Sequence, residues 1–335
     1  MRSAFGTTFD APPGYLNTAS IGVPPTPAAT AVADAVRRWS TGADGPDVAD
    51  SRVTAARRAF GQLVGVPGER VAVGASASQL VALVAASLPA DASVLVARGE
   101  FTSLTFPFAA RGLRITEVDL DGIAAEAGAH DLVAVSVVQS ADGRIADLEG
   151  LRAAGVPVLL DASQAVGWLP LDLAWADWVV AIGYKFLMSP RGCAWLACSP
   201  SALERTVPVA ANWFAGDDPW ATVYGLPLRL APDARRLDLS PVWLSQHGAA
   251  ESLPYLASLD LERVRDHNVA LADGLLAGLG LPARGSAIVS LDLAGAGERL
   301  AAAGVRSSVR AGRVRLAFHL YNTVADADLV LRALA

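Results

Sequence analysis

Short apolar runs alternate with helical stretches over the first two-thirds of the chain. The predicted strands are residues 71–73, 93–97, 114–118, 132–138, 158–160, 178–182 and 194–198. Segments rich in Ala and Leu, such as 79–87 and 148–154, lie between several of these strands and are typical of helices. A further helix is predicted over residues 26–40, after a proline-rich lead-in. Near-continuous apolar strands separated by helices favour an α/β fold with a largely parallel sheet covered on both faces.

The pattern changes after Val207. A stretch of turn residues and aromatics, with Trp213, Phe214, Trp220 and Tyr224, shows no clear period and predicts a long loop. This loop either shapes substrate choice or a dimer contact, or packs as a surface flap. The elements predicted beyond it are helices 244–258 and 261–279, strands 287–292 and 313–318, and a helix over 326–335. We therefore expect a large domain over 21–243, and a smaller α+β domain formed by 1–20 and 244–335.

Composition bounds the class of protein. The 335 residues are 53% hydrophobic and carry a formal charge of −6, with acids and arginines interspersed. No basic stripe suggests nucleic acid or an anionic membrane surface as a partner. The N-terminus lacks an apolar signal-peptide core and the apolar runs are too short to cross a membrane, so we expect a cytoplasmic protein. Cys193 and Cys198 have no metal-binding spacing, and no metal is predicted.

The chain contains 27 basic residues, of which Lys185 is the one lysine. Arginine replaces lysine wherever only charge matters, but a guanidinium stays protonated and cannot form an imine. Lys185 follows an apolar strand instead of lying on a polar helix face, which favours a chemical role. The alternative is a surface lysine that survived by chance.

Two other segments carry candidate chemistry. Asp161 falls at the carboxyl end of the strand over 158–160, where open parallel sheets bind ligands. A buried carboxylate there needs a cationic partner, which the ring nitrogen of a pyridine cofactor would supply; the alternative is an N-cap for the next helix. The small residues Gly74 to Ser78 join a strand to a helix and would let backbone N–H groups approach a phosphate, unless they form an ordinary cap.

Together these motifs resemble a known superfamily. The order GASAS, EFTS, DASQAVG, GYK, PRG and RLAFHLYNT is similar to that of the class V aminotransferases, which include cysteine desulfurases, kynureninase-like hydrolases, isopenicillin-N-epimerase-like proteins and C–S lyases. The resemblance runs from Tyr15 to Thr323, and the set Asp161, Gln164 and Lys185 is its most specific part. It implies a fold-type I enzyme that depends on pyridoxal 5′-phosphate (PLP), acts on a small amino-acid-like substrate and forms a homodimer.

The resemblance also implies a role for each matching position. Lys185 would hold PLP as a Schiff base and move the substrate Cα proton, Asp161 would pair with the pyridinium nitrogen, and Gln164 would lie near the ring hydroxyl. The other implied cofactor contacts are Ser76 and the Ala77 amide at the phosphate, Phe101 stacked on the ring, Gln139 or Ser140 at the ring hydroxyl, Tyr184, and Ser240 at the phosphate of a partner subunit. The implied substrate contacts are Arg315 for the α-carboxylate, Asn17 and Ala19 at the N-terminal side of the pocket, and His319. Without the resemblance, Arg315 reads as a surface arginine and His319 as a packed strand residue.

Two positions depart from the family pattern. Phe101 stands where the family often has a histidine, and a phenyl ring stacks but cannot act as an acid. Ile182 replaces a phosphate-binding serine or threonine, so that contact is lost or moves to Tyr184.

The sequence narrows the reaction without fixing it. The segment AGVRSSVRAGRVR before the final arginine strand has no cysteine, so we expect no sulfur transfer to the enzyme. An aminotransferase is the expected activity, with a β-eliminating C–S lyase as the alternative. A non-catalytic relative that binds a partner is the third hypothesis, against which the single lysine at the expected position argues.

Overall fold

The computed structural model describes residues 1–45 and 47–335 and has an α/β architecture. The strands are β1 Arg2–Ala4, β2 Thr7–Phe9, β3 Val71–Gly74, β4 Ser93–Ala97, β5 Arg114–Val118, β6 Leu132–Ser136, β7 Val158–Asp161, β8 Trp178–Ile182, β9 Ala194–Cys198, β10 Ile288–Leu291, β11 Ser308–Arg310 and β12 Arg313–Ala317. The helices are α1 Thr26–Ser40, α2 Asp47–Val64, α3 Ala77–Ser87, α4 Thr102–Ala110, α5 Ile123–Glu126, α6 Leu148–Ala153, α7 Pro200–Arg205, α8 Trp243–Ala257, α9 Leu261–Gly278, α10 Ala296–Ala302 and α11 Val324–Leu334.

The central sheet has the strand order β3-β9-β8-β7-β6-β4-β5. Strands β8, β7, β6, β4 and β5 are parallel neighbours, whereas β9 runs antiparallel to both β8 and β3. The carboxyl ends of β3, β4, β6, β7 and β8 therefore meet at one edge of the sheet, which is where ligands bind in such folds.

Both faces of this sheet are buried. Val73 and Leu95 belong to an apolar cluster on one face, whereas Ala72 and Val94 belong to a second cluster on the other. Helices α1, α2 and α8 pack together, with α2 and α8 contributing to the first cluster, and α3 and α4 cover the second. This two-sided burial is the reason that the strand sequences are almost continuously apolar.

A smaller antiparallel sheet, with the order β10-β12-β11, lies beside the large one. Helices α9, α10 and α11 cover it and share a separate apolar cluster with Leu16. The N-terminal segment joins this unit, because Ala317 N donates to Leu16 O at 2.8 Å and Leu16 N donates to Arg306 O at 3.0 Å. Helix α8, which the predicted boundary assigns to the small domain, packs instead on α1 and α2. The domain limits themselves stay a prediction.

The predicted elements agree with this structure to within about two residues at most ends. The helix over 26–40 is found with those limits, and the stretch from Val207 to α8 contains only short 3₁₀ turns. The sequence analysis did not assign α2, although Val53, Ala56, Phe60 and Leu63 recur at helical spacing and are all buried. No helix within residues 1–45 and 47–335 is long and apolar enough to cross a membrane.

Candidate active site

Two adjoining cavities open at the carboxyl edge of the central sheet. The smaller has a volume of about 270 Å³ and is lined by residues from the ends of β3, β6, β7 and β8. The larger, of about 670 Å³, lies between the N-terminal segment, α1 and the hairpin of β11 and β12. Phe101, Ser140, Tyr184, Lys185 and Arg191 line both cavities, so the two form one continuous site.

Lys185 lies where the chain leaves β8, and its side chain is buried. Burial lowers the pKa of its amine to about 8, a fall that Asp161 opposes and that the positive charges of Arg315 and Arg310 reinforce. A substantial fraction of the amine is therefore neutral and nucleophilic near pH 8, which is not so for a lysine of ordinary pKa. Its Nζ lies 5.4 Å from the centroid of the Phe101 ring.

Lys185 is fixed by the N-terminal segment. Gly22 N donates to Tyr184 O at 2.9 Å, and a Cβ added at Gly22 would lie 2.0 Å from Lys185 O. Only glycine allows the two backbones to approach this closely. The segment therefore positions Lys185 from a distance of more than 160 residues along the chain.

Asp161 ends β7 and faces the smaller cavity. One of its oxygens accepts from Ser163 N at 2.8 Å, and Asp161 forms no ion pair with any residue in the described ranges 1–45 and 47–335. The next turn carries Gln164, whose Nε2 donates to Ser140 Oγ at 3.0 Å and whose Oε1 is buried without a partner. The buried Asp161 carboxylate and the buried Gln164 amide oxygen are thus both available to bind a ligand in the smaller cavity.

Helix α3 begins at the same cavity. Ser76 is its N-cap and accepts from Gln79 N, and Ala75 to Ser78 line the cavity wall. The helix N-terminus favours an anion at this end. Arg191, whose guanidinium stacks on the Tyr184 ring at 4.9 Å, lines the same wall.

Arg315 connects the two cavities. From β12 it donates to Ser140 O at 2.5 Å, to Ser140 Oγ at 3.0 Å and to Ser20 Oγ at 2.8 Å. Burial, helped by the charge of Arg310, lowers the pKa of its guanidinium to about 10. Arg315 has no carboxylate partner in the described part of the chain, so a carboxylate entering the larger cavity would meet an unpaired guanidinium.

Four residues from the sequence analysis lie outside the lining of both cavities. Ser240 is exposed on the monomer, just before α8, and Asn17 packs beside β12. His319 is fully buried: its Nε2 lies 2.9 Å from Phe186 O, and burial lowers its pKa to about 3. This environment fits the packed strand residue that the sequence analysis gave as the alternative.

Gln139 is the fourth predicted residue outside the lining. Its side chain binds Glu100, a residue of the EFTS motif to which no role was assigned. Gln139 Nε2 donates to the buried carboxylate of Glu100 at 2.7 Å, and Ser136 donates to the same carboxylate from N at 2.7 Å and from Oγ at 2.6 Å. Burial raises the pKa of the Glu100 carboxyl, and these donors oppose the rise. Of the two candidates Gln139 and Ser140, the structure places Ser140 in the cavities. The available signal for Glu100 was a carboxylate just after an apolar strand.

The site also contains Ser20, Arg191 and Arg310, to which the sequence analysis gave no ligand contact. Arg191 appeared there only within the PRG motif, and Arg310 only within the cysteine-free segment. Each lines a cavity wall, together with the predicted residues Ala19, Phe101, Tyr184 and Lys185. Because arginines are frequent in this chain, nothing in their local sequence distinguishes these from the surface ones.

The fold and these side chains define a class of protein, the fold-type I PLP-dependent enzymes. A buried lysine at a strand end, an unpaired aspartate one strand away and the N-terminus of α3 at the same cavity fit the aldehyde, the ring nitrogen and the phosphate of PLP. The model of the family described as aminotransferase class-V matches residues 47–282, which is more than half of the chain. The chain belongs to this family, and its cofactor is PLP.

Two curated relatives are detectably similar in sequence. Isopenicillin N epimerase of Streptomyces clavuligerus is 28% identical over 252 residues, which cover 65% of this chain and 62% of that protein. The uncharacterized aminotransferase YcbU of Bacillus subtilis is 28% identical over 233 residues, which cover 63% of this chain and 60% of that protein. The matches thus span about three fifths of the length of each relative.

Solved structures share the whole fold at lower identity. A cysteine desulfurase from Thermococcus onnurineus superposes with a TM-score of 0.82 at 19% identity, covering 96% of this chain and 93% of that one. A C-DES variant with glycine covalently linked to PLP superposes with a TM-score of 0.84 at 18% identity, covering 96% of each chain. At this identity the likeness establishes the fold and leaves the reaction open.

Proposed function

We propose that the protein is a PLP-dependent aminotransferase. Bound PLP supplies an electron-withdrawing ring that stabilises negative charge at the substrate Cα. Lys185 would hold the cofactor as a Schiff base between turnovers, with Asp161 at the ring nitrogen, Gln164 and Ser140 at the ring hydroxyl, and Ser76 and the Ala77 amide at the phosphate. Arg315 would bind the substrate α-carboxylate.

The observation that carries this proposal is the scarcity of proton carriers in the site. Lys185 is the one amine among the described residues that line the two cavities, and that lining includes no His, Cys or Glu. Its other groups that can carry a proton are the Asp161 carboxyl, the Tyr184 phenol and serine hydroxyls. In transamination a single amine suffices, because Lys185 Nζ could both take the proton from the substrate Cα and hold it for return on the same face. With PLP bound and one water consumed, the cofactor would retain the amino group and the substrate would be released as a keto acid.

Two other family reactions are less well supported. Epimerisation through two bases needs a second proton carrier opposite Lys185. The ring that faces Lys185, Phe101, cannot carry a proton, and the Tyr184 ring is stacked against the Arg191 guanidinium. Sulfur transfer needs a reactive cysteine, whereas Cys193 and Cys198 are buried and burial raises the pKa of each thiol to about 12. A β-eliminating C–S lyase also needs only one base, so it remains the alternative.

A single-turnover experiment separates these activities. The PLP-loaded protein is mixed with an excess of an amino acid and no keto acid, over a panel that includes cysteine conjugates. An aminotransferase releases about one equivalent of keto acid per site, stops, and resumes when a different keto acid is added. Continued release of pyruvate and ammonia would instead identify a lyase, and inversion at Cα an epimerase. Lys185→Ala is the control and should release nothing.

A further inference from the structure

Besides Arg315, two arginines line the larger cavity: Arg191, whose guanidinium stacks on Tyr184, and Arg310. Arg310 is the last residue of β11, at the tip of the hairpin whose next strand carries Arg315. The strand register pairs Arg310 with Arg313 and Ser308 with Arg315, so these four side chains share one face of the small sheet. Arg310 and Arg315 line the cavity, whereas Arg313 is not part of its lining.

Arg310 and Arg315 are held close together because both donate to the same hydroxyl group. Ser20 Oγ accepts from Arg315 Nη2 at 2.8 Å and from Arg310 Nη2 at 3.4 Å. The remaining hydrogen bond of the Arg310 side chain goes to the carbonyl of Val309 at 2.8 Å. The hairpin turn fixes this geometry, since Ala311 and Gly312 both adopt left-handed φ values of 47° and 77°, as two-residue hairpin turns require.

Neither guanidinium has a carboxylate to neutralise it. Within the described residues, the ion pairs of this hairpin involve only Arg313, whose guanidinium lies 3.3 Å from Asp292. The cavity wall also includes Lys185 and Arg191, and no carboxylate belongs to its described lining. Many of its other residues are small or apolar, among them Ile21, Pro24 and Val32. The positive charges of Arg310 and Arg315 lie beside each other and beside Lys185, where they repel one another. Anionic groups that bind in this cavity would relieve that repulsion.

We propose that Arg310 determines the substrate class by binding a second carboxylate, at the end of the substrate side chain, while Arg315 holds the α-carboxylate. The substrate is then a dicarboxylic amino acid. This inference rests on the proposed amino-acid chemistry at Lys185, but it does not depend on whether the reaction is transamination or elimination. Arginine is suited to the role because its planar fork binds a carboxylate through two parallel hydrogen bonds.

Matched acid and amide pairs test the proposal. The PLP-loaded protein is titrated with aspartate, glutamate and 2-aminoadipate, and with asparagine, glutamine and the side-chain amide of 2-aminoadipate. The change in visible absorbance of the bound cofactor gives a Kd for each. At the chain length that spans the two arginines, the acid should bind at least about tenfold more tightly than its amide, because a charge-assisted pair replaces a neutral contact.

Arg310→Gln should bring the acid-to-amide ratio of Kd values to within about twofold of one. Arg313→Gln is the matched control: it removes an arginine from the same face of the same hairpin, yet one already paired with Asp292, and should keep the wild-type ratio. A wild-type protein without preference at any chain length would overturn the proposal. So would a preference that survives in Arg310→Gln, or a change of oligomer mass in that variant without a change of preference.

The titration tests the substrate class and the single-turnover experiment tests the reaction, so either proposal can be contradicted without the other. Preferential binding of the acids without release of a keto acid would remove the aminotransferase proposal and leave the substrate class standing. Transamination of neutral amino acids with no acid preference would do the reverse.

Discussion

At the scale of single residues, the chemistry of this protein depends on the environment that the fold gives to Lys185. Burial of the side chain lowers the pKa of its amine to about 8. The charge of Asp161 opposes this fall, and the charges of Arg315 and Arg310 add to it. A lysine in water has an ordinary pKa of 10.5 and would be almost fully protonated at neutral pH. The burial thus supplies the free amine that Schiff-base formation requires.

The rate at which the apoenzyme captures added PLP should report this pKa. Only the neutral amine attacks the aldehyde, so the rate should rise about tenfold per pH unit below pH 8 and level off above it. Asp161→Asn removes a charge that raises the pKa and should move the midpoint to lower pH. Arg310→Gln removes a charge that lowers it and should move the midpoint upward.

Absorbance after rapid mixing over a range of pH gives these midpoints. Asp177→Asn is a suitable control, because Asp177 precedes β8 and lies at the opposite edge of the sheet, where it accepts from Val158 N. A wild-type midpoint near 10.5 would contradict the buried environment described for Lys185.

At the scale of elements, a buried ion pair joins α2 and the long loop to the central sheet. Arg57 of α2 donates to both oxygens of Asp238, at 3.0 and 2.6 Å, and Val73 N of β3 donates to Asp238 at 2.8 Å. Both partners of this pair are buried. The pair thus holds the loop just before Ser240 against the first strand of the large sheet.

Asp238→Ala should lower the free energy of unfolding by about 3–5 kcal/mol, because it leaves the Arg57 guanidinium buried and unpaired. The measurement is urea unfolding followed by tryptophan fluorescence, with the slope compared between variants. Asp119→Ala provides the control: Asp119 pairs with Arg98 on the surface, so its loss should change stability by no more than about 1 kcal/mol. A similar, small effect of both substitutions would show that the buried pair does not hold the loop.

At the scale of the whole molecule, the surface carries apolar side chains that a single chain leaves exposed, one of them at the site. Ile21 is 61% exposed and lines the larger cavity, and Tyr224 and Leu226 on the long loop are 92% and 91% exposed. Exposed apolar groups of this size are frequent at interfaces between subunits. They support the homodimer that the family resemblance implies, with Ser240 reaching the partner's phosphate.

Light scattering should therefore give a mass of about twice the 34.6 kDa of the chain. Ser240→Ala should weaken PLP binding about fivefold, the value of one hydrogen bond, without changing that mass. Ser40→Ala, at the exposed end of α1, should leave PLP affinity unchanged. A monomer at every concentration with full PLP affinity would refute both the dimer and the role of Ser240.

Much of the fold and the centre of the site could be predicted from local sequence. An apolar run bounded by turn residues specifies a strand, and the residue that follows it lies at the sheet edge whatever its neighbours are. Lys185 and Asp161 were found in this way, and the structure places both in the smaller cavity. The apolar residues of helix α2 also recur at regular helical spacing, although no helix was predicted there.

The sequence by itself, through its local patterns and its resemblance to a family, thus predicted the fold class and the cofactor, both of which are confirmed, and Lys185 and Asp161 as candidate site residues. Only the tertiary structure decided which other side chains meet them. Arg315 contacts Ser140 across 175 positions of the chain, and Arg310 contacts Ser20 across 290. Such contacts depend on the packing of two separate sheets, which no local period encodes. For the same reason, three further features are visible only in the folded molecule. They are the hydrogen bond from Gln139 to Glu100, the burial of His319, and the position of Arg310 beside Arg315 in one cavity.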